Sequence, residues 1–302
     1  MKNKKMENKK KKLQIHNQKT AYLFLLPSLV ILTVFVFIPL ISAFVISLLN
    51  MDIYMNDISF AGFDNFIQLF QDGRVWNATK NTLLFAVIEV PVQICLALII
   101  AMFMMKNKVI HKFLRAFFYV PYVCSMTAIS ILWSMMLNPN SGMFAYLLQQ
   151  LGIQMPNINT NGAYAMAMVI TVTVWRNFGY TLTIITAATL DVPSSLYESA
   201  ELDGATGLKK FIYITLPSIK GTISFCLVTA LILAFQAFDQ VYVMTGGGPQ
   251  YKTETLVSYI YDRGFSTTHD LGYASAISVY LFVIIAIVTF LLRKHTKLEV
   301  QS

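Results

Sequence analysis

Six long apolar runs constrain this chain more than any other feature of its sequence. They cover about residues 21–49, 82–105, 114–137, 163–190, 219–241 and 273–292. Each is close to or longer than the ~20 residues that a helix needs to cross ~30 Å of hydrocarbon. No water satisfies backbone groups in lipid, so each run must be helical, and the short alternating strands of a membrane barrel are absent. The sequence therefore predicts an all-α, polytopic membrane protein with six transmembrane helices.

The composition agrees with a membrane protein and argues against a nucleic-acid partner. Of the 302 residues, 56% are hydrophobic and 13% are charged. The net charge is +8, but the basic residues lie between the apolar runs and near the chain ends instead of forming one patch. Cys95, Cys124 and Cys226 lie far apart in apolar runs, so no metal site is predicted.

The distribution of Lys and Arg predicts the orientation. With a cytoplasmic N-terminus, 18 of the 23 basic residues lie in cytoplasmic segments and four in outer loops. This asymmetry follows the positive-inside rule and places both termini in the cytoplasm. The chain then divides into a basic cytoplasmic tail (1–19), a first transmembrane helix with an outer loop (20–81), a transmembrane core (82–292) and a second cytoplasmic tail (293–302). The first run is too long for a signal peptide, so we expect it to remain uncleaved.

A polar segment over residues 192–217 separates the fourth and fifth apolar runs. Ser194 or Ser195 can cap a helix start there. Acidic residues in the first turns of that helix would favour its N-terminus. We expect them at Glu198, Glu201 and Asp203. Gly204 then allows a sharp turn before a second helical pattern. The segment is therefore predicted to be a helix–turn–helix with one apolar and one charged face, and an ordinary amphipathic loop is the plain alternative.

The spacing within this segment resembles the "EAA" loop of ABC importer permeases. Glu198-Ser199-Ala200 is followed after three residues by Gly204, and after nine more by Ile214-Thr215-Leu216-Pro217, with Ser199 where the family usually has Ala. In that family the loop forms coupling helices that dock in a groove of a cytoplasmic ATPase subunit, with Glu198 as the expected anchor and Gly204 as the bend. The resemblance implies these ATPase-coupling residues: Glu198, Ala200, Asp203, Gly204, Ala205, Leu216 and Pro217.

Arg176 lies near the middle of the fourth apolar run. A central arginine costs about 2.5–3.5 kcal/mol on membrane insertion scales, so it must face protein or water. It either lines a translocation path or pairs with a carboxylate on a neighbouring helix or a partner subunit. Glu89 in the second run and Asp239 near the end of the fifth are the candidate partners.

The end of the fifth run combines aromatic rings with polar groups, among them Gln236 and Asp239. Such a combination suits a sugar, because rings pack against its apolar face and polar groups meet its hydroxyls. Alternatively, the aromatic residues mark the membrane interface.

Two further segments resemble carbohydrate permeases, specifically the larger permease of the maltose transporter. Met244–Pro249 is similar to the family's "TxGGP" segment and Gly62–Phe66 to its entry segment, and the likeness extends over roughly residues 20–295. Alignment through the EAA loop implies that maltose-contact positions fall on Arg176, Asn177, Tyr180, Ala230, Leu233, Ala234 and Ala237. Ala234 and Ala237 replace Asn, so those hydrogen bonds to maltose are missing. With Gln236 and Asp239, these residues form the predicted substrate path.

The resemblance implies a type I ABC importer transmembrane domain, with the permease core over residues 82–292, in a bacterial cytoplasmic membrane. Its function would be the binding-protein-dependent import of a di- or oligosaccharide. The implied partners are a second permease, two ABC ATPases and an external or periplasmic solute-binding protein. Glycerol-phosphate permeases share the pattern, and Arg176 could meet an anion. An ATP-independent channel or secondary transporter is the alternative from another class.

No catalytic apparatus can be placed on the chain. The glycines near Lys252-Thr253 lack the phosphate-loop spacing, because Tyr251 stands where glycine is required. No Ser–His–Asp set, metal cluster or pair of catalytic carboxylates is evident. We therefore predict a transport subunit, not an enzyme, without a cofactor of its own, and expect ATP and Mg²⁺ to bind the partner ATPase.

Overall fold

The computed structural model describes residues 20–55, 58–104 and 109–296, which are mainly α-helical. Helix α1 (Thr20–Ile46) leads into an antiparallel hairpin of β1 (Leu49–Asn50) and β2 (Ser59–Phe60). The other helices are α2 (Asp64–Gln71), α3 (Gly73–Phe103), α4 (Val109–Val123), α5 (Met126–Met136), α6 (Met143–Gln150), α7 (Gly162–Leu190), α8 (Ser194–Leu202), α9 (Gly207–Ser218), α10 (Lys220–Phe235), α11 (Asp239–Thr245), α12 (Leu256–Tyr261) and α13 (Leu271–Thr296). The predicted tail over 1–19 and residues 297–302 of the second tail lie outside the described residues.

Several of these helices can cross a membrane. Among the described residues, α1, α3 and the part of α13 up to Lys294 are both long and apolar enough. The 29 residues of α7 span about 43 Å, which also suffices, but polar residues such as Arg176 and Asn177 make it less apolar. Two bent helix pairs are further candidates. The polytopic all-α architecture is therefore present, and the count of six spans stays a prediction.

The predicted third span, residues 114–137, is not one continuous helix. It consists of α4 and α5, which meet at an angle of 92°. The chain breaks at Ser125, whose ψ of 133° is extended, so the helical hydrogen-bond ladder cannot continue across it. Apolarity alone does not reveal this break, because both halves are hydrophobic.

The predicted fifth span, residues 219–241, is also interrupted. Helix α10 ends at Phe235, and Phe238 has non-helical dihedral angles (φ −133°, ψ −64°) before α11 begins. At its other end α10 meets α9 at 71°, with Ile219 between them. The aromatic and polar residues predicted at the end of this span therefore lie at a helix break.

The interior of the bundle is organised around α3, which packs along α7 and α10. Phe85 on α3 and Phe235 on α10 are among its fully buried side chains. Helix α1 behaves differently: its apolar side chains are almost all exposed, and Phe44 meets Phe282 of α13 edge to face at 5.8 Å. Such an exposed apolar helix fits a surface covered by lipid or by another membrane subunit.

The loop between α1 and α3, predicted to lie outside, contains the amphipathic helix α2. Its Asn65 is buried and donates hydrogen bonds to the carbonyls of Ser47 and Leu49, both at 3.0 Å. These bonds hold α2 against the end of α1 and the hairpin. Helix α3 begins directly after α2, nine residues before the apolar run that starts at residue 82. Helix α3 is thus longer at its start than the second apolar run predicted from the sequence.

Candidate functional site

Helices α8 and α9 form the predicted helix–turn–helix over residues 192–217. The chain turns at Gly204, whose φ of 74° lies in the left-handed region. The N–H of Gly204 donates to the carbonyl of Glu201 (3.0 Å), and that of Ala205 to the carbonyl of Ala200 (2.9 Å). Glycine is favoured here because a side chain strains this backbone conformation.

The start of α8 differs from the prediction. Neither Ser194 nor Ser195 caps it, because the capping position is occupied by Pro193 and no side-chain cap hydrogen bond forms. Ser194 is already the first helical residue, one position too late to cap. The acidic residues were expected in the first turns of this helix, but none of them lies in its first turn. The acidic residues lie further along or at the end of α8: Glu198, Glu201 and Asp203.

The turn presents an exposed surface. Four of the predicted coupling residues are exposed: Glu198, Asp203, Gly204 and Pro217. The other three are half-buried: Ala200, Ala205 and Leu216. Leu202 is 92% exposed and Tyr213 76% exposed, so apolar groups stand beside the charged ones. Neither Leu202 nor Tyr213 was among the predicted coupling residues. A protruding surface of this kind is suited to docking with a protein partner.

Side-chain contacts tie α8 to α9. Lys210 forms an ion pair with Glu201, and the hydroxyls of Tyr197 and Thr215 lie 2.9 Å apart. Thr215 is fully buried between the helices. The two helices are therefore expected to move as one unit, which is what transmission of a displacement requires.

Arg176 binds backbone carbonyls at the break between α4 and α5. Its guanidinium donates to the carbonyls of Tyr122 (3.2 Å) and Cys124 (3.1 Å) and to Oδ1 of Asn177 (3.1 Å). The carbonyls that end α4 have no helical partner and carry the negative end of its dipole, so a multidentate cation satisfies them. The predicted ion pair with Glu89 or Asp239 is wrong for the described structure, where Glu89 instead accepts from Asn177 (3.3 Å).

Part of the predicted substrate path surrounds one small cavity of about 10 Å³, the size of a single water. Its lining consists of Gln93, Tyr122, Asn177, Tyr180, Thr181, Thr229, Ala230 and Leu233. Helices α3, α4, α7 and α10 thus bring four predicted positions together, with Arg176 hydrogen-bonded to Asn177 beside them. The rings of Tyr122 and Tyr180 stack with centroids 4.6 Å apart.

The other predicted path residues lie elsewhere. Ala234 and Ala237 are buried among core side chains, at 4% and 3% exposure, and do not line the cavity. Gln236 and Asp239 lie at the break between α10 and α11, where both side chains are exposed. Conversely, Gln93 was missed, although its position one helical turn after Glu89 in an apolar run was a signal in the sequence.

A network of charged and hydroxyl groups fixes the residues that follow the "TxGGP" segment to the start of α3. Arg74 forms ion pairs with Glu254 (2.7 Å) and Asp262 (2.9 Å). Asn81 of α3 donates to the carbonyls of Tyr251 (2.8 Å) and Glu254 (3.0 Å). Burial raises the pKa of Glu254 above its usual value, although the hydrogen bond and charge of Arg74 oppose this.

Asp72 completes this network at the N-cap of α3. Its side chain accepts from the N–H of Arg74 (2.8 Å) and from the hydroxyls of Tyr259 and Tyr273. Burial raises the pKa of Asp72, but these hydrogen bonds and the charge of Arg263 outweigh it, so the pKa lies below its usual value. The network therefore depends on the ionised carboxylate.

Comparison with known proteins identifies the class. Residues 93–297 match the family described as the binding-protein-dependent transport system inner membrane component, and the chain belongs to this family. It is a membrane transport component, not an enzyme, and a multi-pass protein of the cytoplasmic membrane.

Two relatives and one solved structure show how far the similarity extends. The lactose transport system permease protein LacF of Rhizobium radiobacter is 32% identical over 276 residues, covering 90% of this chain and 92% of that protein. The sn-glycerol-3-phosphate transport system permease protein UgpA of Agrobacterium fabrum is 32% identical over 276 residues, covering 90% and 93%. A chain of a bacterial alginate ABC transporter, crystallised with an alginate pentasaccharide-bound periplasmic protein, has the same fold, with a TM-score of 0.81, 24% identity and coverage of 93% and 95%.

Proposed function

We propose that this chain is a permease subunit of an ATP-driven importer that carries a di- or oligosaccharide across the cytoplasmic membrane. It pairs with a second, related permease. Two ABC ATPases hold ATP and Mg²⁺, an external solute-binding protein delivers the sugar, and this chain binds no cofactor itself. Family membership supports binding-protein-dependent transport.

The observation that carries the proposal is the exposed helix–turn–helix of α8 and α9. Glu198 and the bend at Gly204 lie on a unit whose helices are cross-linked by side chains. ATP binding closes the ATPase dimer, this unit follows the movement, and the membrane helices open outward. The unit continues directly into α10, which lines the small cavity, so a displacement of the loop reaches the substrate path.

A sugar is favoured as the substrate by the relatives and by the cavity. The lactose permease relative aligns over nine-tenths of the chain. Two stacked tyrosine rings beside Asn177 and Thr229 provide an aromatic surface and hydrogen-bonding groups. The glycerol-phosphate relative, equally similar, makes a phosphorylated polyol the second candidate.

The proposed orientation of the chain in the membrane follows from the distribution of Lys and Arg. Both termini and the α8–α9 unit lie in the cytoplasm, where most Lys and Arg residues fall. The "TxGGP" region and its ionic network then face outward, towards the binding protein.

Affinity purification of the chain from its native membrane tests the coupling role. Wild type is compared with Glu198→Lys combined with Gly204→Asp, and with Asp64→Lys, a charge reversal at an exposed position of α2. We expect an ATPase and a second permease with wild type and with the control, and loss of the ATPase with the double variant. A chain that purifies alone, or an ATPase that ignores the double variant, contradicts the proposal.

A further inference from the structure

Helix α3 carries two buried hydrogen-bond acceptors at or beside the small cavity, and neither has a donor among the described residues. Gln93 is 3% exposed and lines the cavity; its Nε2 donates to the hydroxyl of Thr181 (2.6 Å), while its Oε1 has no partner there. Glu89 is 1% exposed, and its Oε1 accepts from Asn177, while its Oε2 is likewise unpaired. Acceptors left without a donor in a buried site are costly and call for a specific explanation.

The two acceptors belong to one surface. Glu89 and Gln93 lie four residues apart, so they project from the same face of α3. Both meet α7, one through Asn177 and the other through Thr181, and these two residues line the cavity. The stacked rings of Tyr122 and Tyr180 border the same cavity.

The described lining of this cavity contains no cation. Arg176 is adjacent, but its guanidinium is engaged by two backbone carbonyls and by Asn177, and it lies over the ring of Tyr122. Lys112 and Arg115 border a separate cavity of about 400 Å³, which shares only Tyr180 with the small one.

From these observations we infer that Glu89 and Gln93 contact the substrate and select a neutral sugar over a phosphorylated or acidic one. Sugar hydroxyls donate hydrogen bonds, whereas an ionised phosphate or carboxylate group placed against these two side-chain oxygens has no hydrogen to donate and would leave them unsatisfied. The sugar ring packs on the tyrosines when the helices separate and the cavity widens during transport. This inference rests on the proposed function and narrows its substrate class.

Transport by the complete importer, reconstituted in liposomes with its binding protein, tests the inference. Lactose and other neutral di- and trisaccharides are compared with sn-glycerol 3-phosphate and an acidic oligosaccharide. Wild type is expected to transport a neutral sugar. Gln93→Leu is expected to lower the maximal rate about tenfold, because an unmade hydrogen bond costs about 1.4 kcal/mol in the transport step. The concentration of loaded binding protein that gives half the maximal rate is expected to stay unchanged.

Controls separate a substrate contact from a structural role. Ser130→Ala removes another buried hydroxyl without a described partner, on α5 and outside the cavity lining, and is expected to transport at the wild-type rate. Glu89→Gln keeps a hydrogen-bond acceptor, and Gln93→Asn keeps the amide group. Each variant should therefore lose less of the maximal transport rate than Gln93→Leu. The thermal midpoint and subunit composition of every variant complex are measured alongside.

The possible results distinguish a failure of the inference from a failure of the proposed function. Sugar transport that Gln93→Leu leaves unchanged, or loses only through unfolding of the complex, overturns the inference and leaves the sugar importer intact. Transport of glycerol phosphate but of no neutral sugar overturns it as well. A wild-type importer that transports nothing in the panel overturns the proposed function together with the inference.

Discussion

At the scale of single residues, Arg176 shows how a membrane helix accommodates a charge. The break between α4 and α5 frees carbonyls within the bundle, and the guanidinium supplies several donors in one plane. The arginine and the break therefore support each other. Its position over the ring of Tyr122, at 5.1 Å from the centroid, adds a cation–π contact to the same junction.

Arg176→Ala is expected to destabilise the purified protein by about 1–3 kcal/mol, because it leaves carbonyls at the helix break without donors. Arg176→Lys should recover only part of this, since an ammonium group lacks the planar fork that meets both carbonyls. Thermal unfolding in detergent measures the effect, with Arg115→Ala on α4 as the control. Unchanged unfolding of Arg176→Ala, or equal destabilisation by Glu89→Gln, would instead favour the ion pair predicted from the sequence.

The contrast between Arg176 and Gly204 shows what the sequence reveals at this scale. Gly204 was predictable because its role is local: the turn needs a left-handed residue, and the chain supplies glycine at a fixed spacing. The partners of Arg176 were not, because they are main-chain groups of a helix end more than 50 residues away. The sequence shows which side chains carry a carboxylate. Every residue, however, has a backbone carbonyl, so the sequence does not show which carbonyls bind Arg176.

At the scale of elements, α4 and α7 pack with unusual closeness at Gly179. A Cβ placed on this glycine would lie 1.8 Å from the carbonyl oxygen of Phe118. Small residues permit such approaches between membrane helices. The close packing brings Tyr122 and Tyr180 into contact and positions Arg176 at the α4–α5 break.

Gly179→Ala should therefore force the two helices apart and cost about 1–3 kcal/mol, as overpacked interiors do. Gly221→Ala on α10 is the matched control, because no described atom apart from its chain neighbours and the backbone of its own helix lies within 4 Å of the position that its added methyl group would take. Thermal unfolding and transport rate are measured for both variants. Equal stability of the two would contradict the close packing at Gly179.

The network at the N-cap of α3 predicts an acid dependence. Because the pKa of Asp72 is lowered in the folded state, its stabilising contribution is complete above the ordinary aspartate value of about 4 and is lost as the pH falls through the folded value. Asp72→Asn is expected to flatten the fall of the thermal midpoint below pH ~4. Asp64→Asn, at an exposed position of α2, should keep the wild-type profile, and identical profiles for all three proteins would refute this role.

Elements differed in how far the sequence could predict them. The helix–turn–helix over 192–217 follows from local signals, and the structure contains it. The breaks at Ser125 and Phe238 lie in largely apolar runs, where hydropathy gives no boundary. Four of the aligned path residues line one cavity, namely Asn177, Tyr180, Ala230 and Leu233. Ala234 and Ala237 instead pack into the core, because the side chains that face the cavity are set by packing contacts that an alignment does not contain.

At the scale of the whole molecule, the chain exposes two surfaces that are suited to contact with lipid or with other proteins. Helix α1 leaves its apolar surface open, and the α8–α9 unit protrudes with Leu202 almost fully exposed. The network at Asp72, the small cavity and the α8–α9 unit are joined through α3, α7 and α10. This arrangement explains how movement at one surface can change access at another.

ATP-driven sugar uptake by the reconstituted complex tests whether this chain is the permease subunit of a binding-protein-dependent importer. Proteoliposomes contain the chain with its co-purified permease and ATPase, and labelled sugar is supplied with the binding protein. We expect uptake to require both ATP and the binding protein. Glu198→Lys combined with Gly204→Asp should abolish it, whereas Asp64→Lys should retain it. Uptake by the chain alone without ATP, or full uptake by the double variant, would contradict the account.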